Sequence, residues 1–205
     1  MFNKIFPKIH AEGYKFLVIA GIITIIFYIF SNFLALIGLL LTVWVYYFFR
    51  DPERYSINDD TYLVSPADGL ITDISEKSGP EELRLENTSF TRISVFMNVF
   101  NCHVNRVPSS GRVEEIFYKP GKFLNASLDK ASEENERNYF KIKLTNGEEI
   151  IIVQIAGLIA RRIVCEVEQG QELKQGDRIG MIRFGSRVDI YFKNKKVLAK
   201  LGQNV

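Results

Sequence analysis

Between Lys15 and Arg50 the chain carries no charged side chain. The stretch reads FLVIAGIITIIFYIF, then Ser31-Asn32, then FLALIGLLLTVWVYYFF. A helix at the surface of a soluble core keeps a polar face, whereas this run is apolar all round. Its length and hydropathy predict insertion into a bilayer. The alternative, a buried helical hairpin of a soluble protein, leaves too little remaining chain to cover so much apolar surface. One helix across residues 16–49 would be about 50 Å long, against a hydrocarbon thickness of about 30 Å. Two helices broken at Ser31-Asn32 would each be about 25 Å long. The expected anchor is therefore a hairpin, with Gly21 and Gly38 easing close helix contact. Lys4, Lys8 and Lys15 precede it and Arg50 and Arg54 follow it, which predicts both ends in the cytoplasm at the cell membrane. Trp44, Tyr46 and Tyr47 fall where an aromatic belt would lie. The apolar region is too long for a cleaved signal peptide.

After Arg50 the texture changes. Asp51-Pro52-Glu53-Arg54 ends the helix, because proline disfavours helical geometry in the residue before it. Beyond a polar stretch at 55–61, short runs rich in Val, Ile, Phe and Tyr alternate with turn signals. These runs predict strands near 62–65, 69–75, 83–87, 91–98, 111–119, 138–144, 148–155, 162–168, 179–184 and 187–193. Asn146-Gly147 predicts a two-residue hairpin turn, and Lys174-Gln175-Gly176-Asp177 a second turn. Pro120 to Glu136 reads as a long polar loop. The expected architecture is mainly antiparallel β with an N-terminal α-helical membrane anchor. It comprises a basic segment 1–15, a membrane-inserted helical hairpin 16–49 and a β domain 50–205.

Composition narrows the chemistry. The net charge of +2 gives no reason to expect a nucleic-acid partner. Cys102 and Cys165 are too few for a disulfide framework, and with only two histidines in no ligand spacing no metal is expected. Cys102 and His103 are neighbours, so on a strand they point to opposite faces and do not form a dyad. There is no G-x-S-x-G, no P-loop and no dinucleotide fingerprint. What remains is Gly185-Ser186, between two strand-like runs. Alone it reads as an ordinary turn. Asp68 and His103 offer a carboxylate and an imidazole, although Asp68 alone reads as a turn residue and His103 alone as a core histidine.

Seven segments carry more weight together than apart: FRDPER (49–54), VSPADG (64–69), FMNVFNCHVNRVP (96–108), PGKFLNA (120–126), ENERN (134–138), QIAGLIARRI (154–163) and RFGSRVD (183–189). In kind and order they resemble the short form of the phosphatidylserine decarboxylase family. The resemblance implies an inactive proenzyme that cuts itself between Gly185 and Ser186. It gives a β fragment 1–185 and an α fragment from 186 to 205, which stay associated. Ser186 would become a covalent pyruvoyl group, the cofactor on which the amine of phosphatidylserine is decarboxylated to phosphatidylethanolamine and CO2.

On the same resemblance, His103 and Asp68 are the candidates for activating Ser186. Arg106, Lys122 and Phe123 are candidates for substrate contact, with Lys119 beside them. A solvated basic loop is the alternative for the lysines. A homodimer is left open. The chain departs from longer relatives in two places. Those carry H-x-x-H, where this chain has His103 and then Arg106, and they flank Gly-Ser with Leu and Thr, where this chain has Phe184 and Arg187. Two other readings stay open: a non-catalytic membrane-tethered β binding module, and a pyruvoyl decarboxylase of another amine.

Overall fold

A computed structural model describes residues 7–57, 59–126, 134–158 and 162–205. Lys4, residues 127–133 of the polar loop and residues 159–161 of the QIAGLIARRI segment lie outside the described residues. The chain divides into two compact units, one ending at Arg54 and one spanning Tyr55–Val205.

The first unit is a helical hairpin of α1 (Gly13–Phe30) and α2 (Asn32–Phe48). The break falls at Ser31, which is extended (φ −167°, ψ 139°) and accepts a hydrogen bond on its side chain from the Phe33 N–H at 3.2 Å. Serine stops one helix and caps the next. The helices meet at Thr24 and Thr42, whose hydroxyls lie 2.9 Å apart, and at Gly38, where a Cβ would press on Thr24. Gly38 therefore permits the close approach. Gly21 does not, because a Cβ there would meet nothing within 4 Å. Chain ends are tied together: His10 N–H donates to the Phe49 carbonyl at 2.8 Å, and Asp51 N–H to the Lys8 carbonyl at 2.7 Å. Phe16 stacks on Phe49 at 5.0 Å. Ile29 and Phe30 at the tip are about three-quarters exposed. By length and composition α1 can cross a membrane; α2 is apolar but shorter.

The second unit is built from β1 (Leu70–Ser78), β2 (Ser89–Met97), β3 (Val104–Arg106), β4 (Gly111–Lys119), β5 (Arg137–Leu144), β6 (Glu149–Ala156), β7 (Ile163–Cys165), β8 (Glu172–Leu173), β9 (Arg178–Ile182) and β10 (Ser186–Phe192). A seven-stranded sheet runs β1-β2-β10-β6-β5-β4-β8, and a three-stranded sheet runs β3-β9-β7. Each strand pair is antiparallel, so the mainly β expectation holds. The main core joins Val95, Phe140, Ile152 and Val188 of the large sheet to Ile163, Ile179 and Ile182 of the small one.

Local readings fared unevenly. Residues 62–65 form no strand, and residues 83–87 are not one either. Glu81–Leu83 is a single 3-10 turn closed by Arg84 in the left-handed region (φ 58°). The hairpin between β5 and β6 has three loop residues, not two: Leu144 N–H donates to the Glu148 carbonyl at 2.8 Å, and Gly147 alone turns left-handed (φ 84°). The turn at 174–177 forms as expected, with Asp177 N–H on the Lys174 carbonyl at 2.9 Å. Part of the polar loop is pinned. Asn135 exchanges 2.8 Å bonds with both backbone groups of Leu124 and donates to the Ala156 carbonyl at 2.7 Å.

The opposite face of the large sheet buries charge. Arg187 donates to Asp189 at 2.9 Å, with a second contact of 2.8 Å between Nε and Oδ1. Arg92 lies 3.9 Å from Asp189 and bonds Asp73 at 2.8 Å. Burial pulls the Arg92 guanidinium down, but Asp189 and Asp73 together hold it above its ordinary range. Replacing Asp189 by alanine would remove the close carboxylate partner of buried Arg187 and leave Arg92 with Asp73. Expected is a loss of about 3–5 kcal/mol, read as a melting point lower by about 10 °C.

Candidate active site

Ser186 opens β10, the strand hydrogen-bonded between β2 and β6, and pairs with Met97 on one side and Ala156 on the other. It is completely buried, and its Oγ has no hydrogen-bond partner among the described residues. The two residues before it are both left-handed, Phe184 at φ 60° and Gly185 at φ 55°. For phenylalanine that geometry costs on the order of 1–3 kcal/mol. The carbonyl of Gly185 rests against Gly157, just past the end of β6: a Cβ on Gly157 would fall on the Gly185 oxygen. The candidate scissile peptide thus follows a strained residue, joins a half-buried glycine to a buried serine and is seated on a residue without a side chain.

Strand register brings the other candidates to the same end of the sheet. Leu70 pairs with Phe96, and Phe96 with Arg187. Asp68 therefore sits just before β1 as Ser186 sits at the start of β10. The Asp68 turn lies flat on β2, because Gly69 has no Cβ to strike the Phe96 carbonyl. His103 follows the turn after β2 and is completely buried. Its carbonyl accepts from Ile182 N–H at 3.3 Å, four residues before Ser186. Its Nδ1 lies 3.1 Å from the Asn101 carbonyl. Donation there fixes the tautomer and leaves the lone pair on Nε2, the form a base needs.

Substrate-contact candidates are more dispersed. Arg106 is half-buried and donates to the Gly176 carbonyl at 2.9 Å. Lys122 is ion-paired with Glu134 at 2.9 Å, and Phe123 packs against the main core. Lys119 pairs with Glu82 at 2.8 Å. Its register neighbour Arg137 reaches the same Glu82, on the face that carries Tyr139 and Tyr191 rather than the face of Ser186.

Sequence reasoning assigned no role to Gly157, Asn105, Gln154 or Asn138. All four lie within the quoted segments, but no residue type among them announces chemistry. Gln154 donates to Asn105 Oδ1 at 2.8 Å, and Asn105 contacts the Met97 sulfur at 3.6 Å. Met97 is the strand partner of Ser186.

The turn at Ser186, with His103 and Asp68 at the same sheet end, brings together a hydroxyl, an imidazole and a carboxylate. The sequence profile described as phosphatidylserine decarboxylase matches residues 41–205. A phosphatidylserine decarboxylase proenzyme of Pelagibacter ubique is 69% identical over 203 residues, covering 99% of this chain and 94% of the relative. Proenzymes of the same name from Ruegeria pomeroyi and Rickettsia akari are 52% and 48% identical, covering 96% of this chain and 90% and 85% of theirs. This chain belongs to the phosphatidylserine decarboxylase family and is a carboxy-lyase of that family.

Proposed function

We propose that this chain is a membrane-anchored proenzyme that cuts itself between Gly185 and Ser186 and then decarboxylates phosphatidylserine to phosphatidylethanolamine and CO2. The observation that carries the reading is the buried Ser186 hydroxyl, without a partner among the described residues, directly after two left-handed residues. Attack of Oγ on the Gly185 carbonyl carbon forms an ester and breaks the Gly185–Ser186 C–N bond, and the serine nitrogen takes the proton. Loss of the Ser186 Cα proton then expels the ester oxygen as the Gly185 carboxylate. Water adds to the dehydroalanine that results, and ammonia leaves, so that residue 186 ends as a pyruvoyl group.

The residues present fit that group. Among the described residues no hydrogen bond depends on the Ser186 hydroxyl, so consuming it breaks none of theirs. Pairing of β10 with β2 and β6 holds the new terminus, and Gly202, Gln203 and Val205 bond to Gly69 and Ile71 at 2.9–3.0 Å. These bonds keep fragment 186–205 associated with the rest. The pyruvoyl carbonyl supplies an electron sink for the amine-bearing substrate. His103 is the base for the Ser186 hydroxyl, with Asp68 supporting its charged form. Arg106, Lys122 and Phe123 are the proposed contacts of the lipid.

Support for a cell-membrane location comes from the apolar hairpin, and for a cytoplasmic β domain from the basic flanks at its tied ends. A diacyl substrate does not leave a bilayer readily, since each buried CH2 is worth about 0.8 kcal/mol.

Mass spectrometry of the purified full chain tests the reading. The expected masses are those of residues 1–185 and of a 186–205 fragment blocked by pyruvate. Phosphatidylserine vesicles are expected to yield phosphatidylethanolamine. An intact chain would point to the binding module, and cleavage with turnover of soluble amines alone to another substrate. His103→Ala is expected to run as one uncut band on a denaturing gel. Normal cleavage with lost turnover would remove His103 from the self-processing step.

A further inference from the structure

The large sheet holds neutral amides beside Ser186 that the mechanism leaves unused. Gln154 of β6 pairs with Val188 of β10 on one side and with Asn138 of β5 on the other. Side chains alternate along a strand. Ile152 and Ala156 of β6, Phe140 and Ile142 of β5, and Val188 and Ile190 of β10 all enter the main core. Gln154, Asn138 and Ser186, two or four residues from these, share that face. Gln154 is completely buried and Asn138 is 2% exposed. Among the described residues, Oε1 of Gln154 and Nδ2 of Asn138 have no hydrogen-bond partner.

The orientation of the Gln154 amide follows from its neighbour. The Met97 sulfur can only accept, so Asn105 presents its nitrogen to it and its oxygen to Gln154. Gln154 then spends a donor on Asn105 and keeps its oxygen free. One face thus carries a spare acceptor on Gln154, a spare donor on Asn138 and the spare hydroxyl of Ser186. Buried polar atoms are almost always bonded, and three unbonded ones on adjoining strands mark a place for a polar guest.

We infer that Gln154 and Asn138 form the subsite for the amino-acid head group of the substrate, Gln154 accepting from its amine and Asn138 donating to its carboxylate. The inference rests on the reading that residue 186 becomes the reactive carbonyl. Order along the sheet matches order along the substrate. The amine joins residue 186 and meets Gln154, the next strand over. The carboxylate lies beyond the amine and meets Asn138, one strand further. Asn105 is a positioning residue, holding the Gln154 amide.

Neutral amides suit this reaction better than a cation. A lysine or arginine would grip the carboxylate most strongly in the ground state and lose that grip as neutral CO2 departs, which raises the barrier. Tyr118, the register partner of Asn138, is 53% exposed, so the polar row runs from the surface inward.

The test uses the full chain in detergent and the variants Asn138→Leu, Asn138→Asp and Gln154→Met. Self-cleavage is read on a gel, and folding by thermal melt. Binding at residue 186 is read by cyanoborohydride trapping of either phosphatidylserine or phosphatidylethanolamine on the 186–205 fragment, weighed by mass spectrometry. Both Asn138 variants are expected to cut themselves and to trap the serine lipid about tenfold less or worse. They should trap the ethanolamine lipid, which keeps the phosphate but lacks the carboxylate, as the parent does. Gln154→Met should lose both lipids. Asn138→Leu should melt no lower than the parent, since an unbonded amide gives way to an apolar group of similar size. Undiminished trapping of the serine lipid, or equal loss of both lipids in the Asn138 variants, overturns the subsite. A parent chain that never cuts itself overturns the reading beneath it as well.

Discussion

Replacing Ser186 by alanine is expected to leave one uncut chain with no decarboxylase activity and an undiminished melting temperature. The chemical half follows from what the side chain must do twice. Its oxygen is the nucleophile that turns the Gly185 amide into an ester, and the same oxygen leaves when the Cα–Cβ double bond forms. Alanine offers neither. Cysteine offers both in weaker form and is expected to cut slowly. The structural half follows from the environment. Ser186 is fully buried and its Oγ bonds nothing among the described residues, so the fold gains nothing from the hydroxyl and carries its desolvation cost. Backbone pairing with Met97 and Ala156 does not involve the side chain. A serine on which the fold does not depend, kept where it is expensive, is the mark of a residue held for chemistry. CO2 release by the alanine variant at any measurable rate would sink the pyruvoyl mechanism.

Much of this architecture is legible in the residues, for reasons that also mark where reading stops. The helical hairpin is legible because a long uncharged run is interrupted at Ser31, a residue able to cap a new helix. β4 runs Gly111–Lys119 as predicted, because its apolar residues are bounded by Gly111 and Pro120. β3 and β8 escape because three and two residues are too few to show a period. Residues 62–65 and 83–87 mislead because apolar side chains in a loop packed on a sheet have the same composition as a strand. Leu63 packs against the main core without being in one, and Leu83 joins the second core from a 3-10 turn.

Of the site, Gly185-Ser186 is an ordinary turn by composition, and gains meaning only beside the other segments of the family pattern. Gln154, Asn138 and Gly157 were not legible at all. Their importance lies in which strand lies next to which, and in what register. A strand's own sequence carries its period and not its neighbour. Arg187 and Asp189 show the same limit. Nothing in their alternate spacing shows that both are buried in an ion pair that also meets Arg92.

Register also sets the second large effect: Gly157→Ala is expected to leave the chain uncut although it folds. A Cβ at position 157 would fall on the carbonyl oxygen of Gly185, with the carbonyl carbon at 2.9 Å and the Ala126 Cβ at 3.3 Å. The obstacle is backbone, so no side chain can rotate out of the way. Either the turn at 184–186 or the end of β6 must shift. The turn is the softer of the two, because Phe184 and Gly185 already sit in the left-handed region while β6 is paired on both sides. The carbonyl then moves off the line of the Ser186 hydroxyl, and a displacement of about 1 Å is enough to slow such a reaction roughly 100-fold. Glycine is favoured at 185 for a different reason: a Cβ there meets nothing within 4 Å, so its φ of 55° is the constraint, not space. Neutral hydroxylamine, with the fragments weighed, tells whether the block precedes the ester, since it cuts an oxygen ester between residues 185 and 186 and leaves an amide there intact. The Gly157→Ala chain should resist it and melt close to the parent. A chain that hydroxylamine cuts has made the ester and is blocked later, and a chain that cuts itself at the parent's rate has no need of the seat at Gly157.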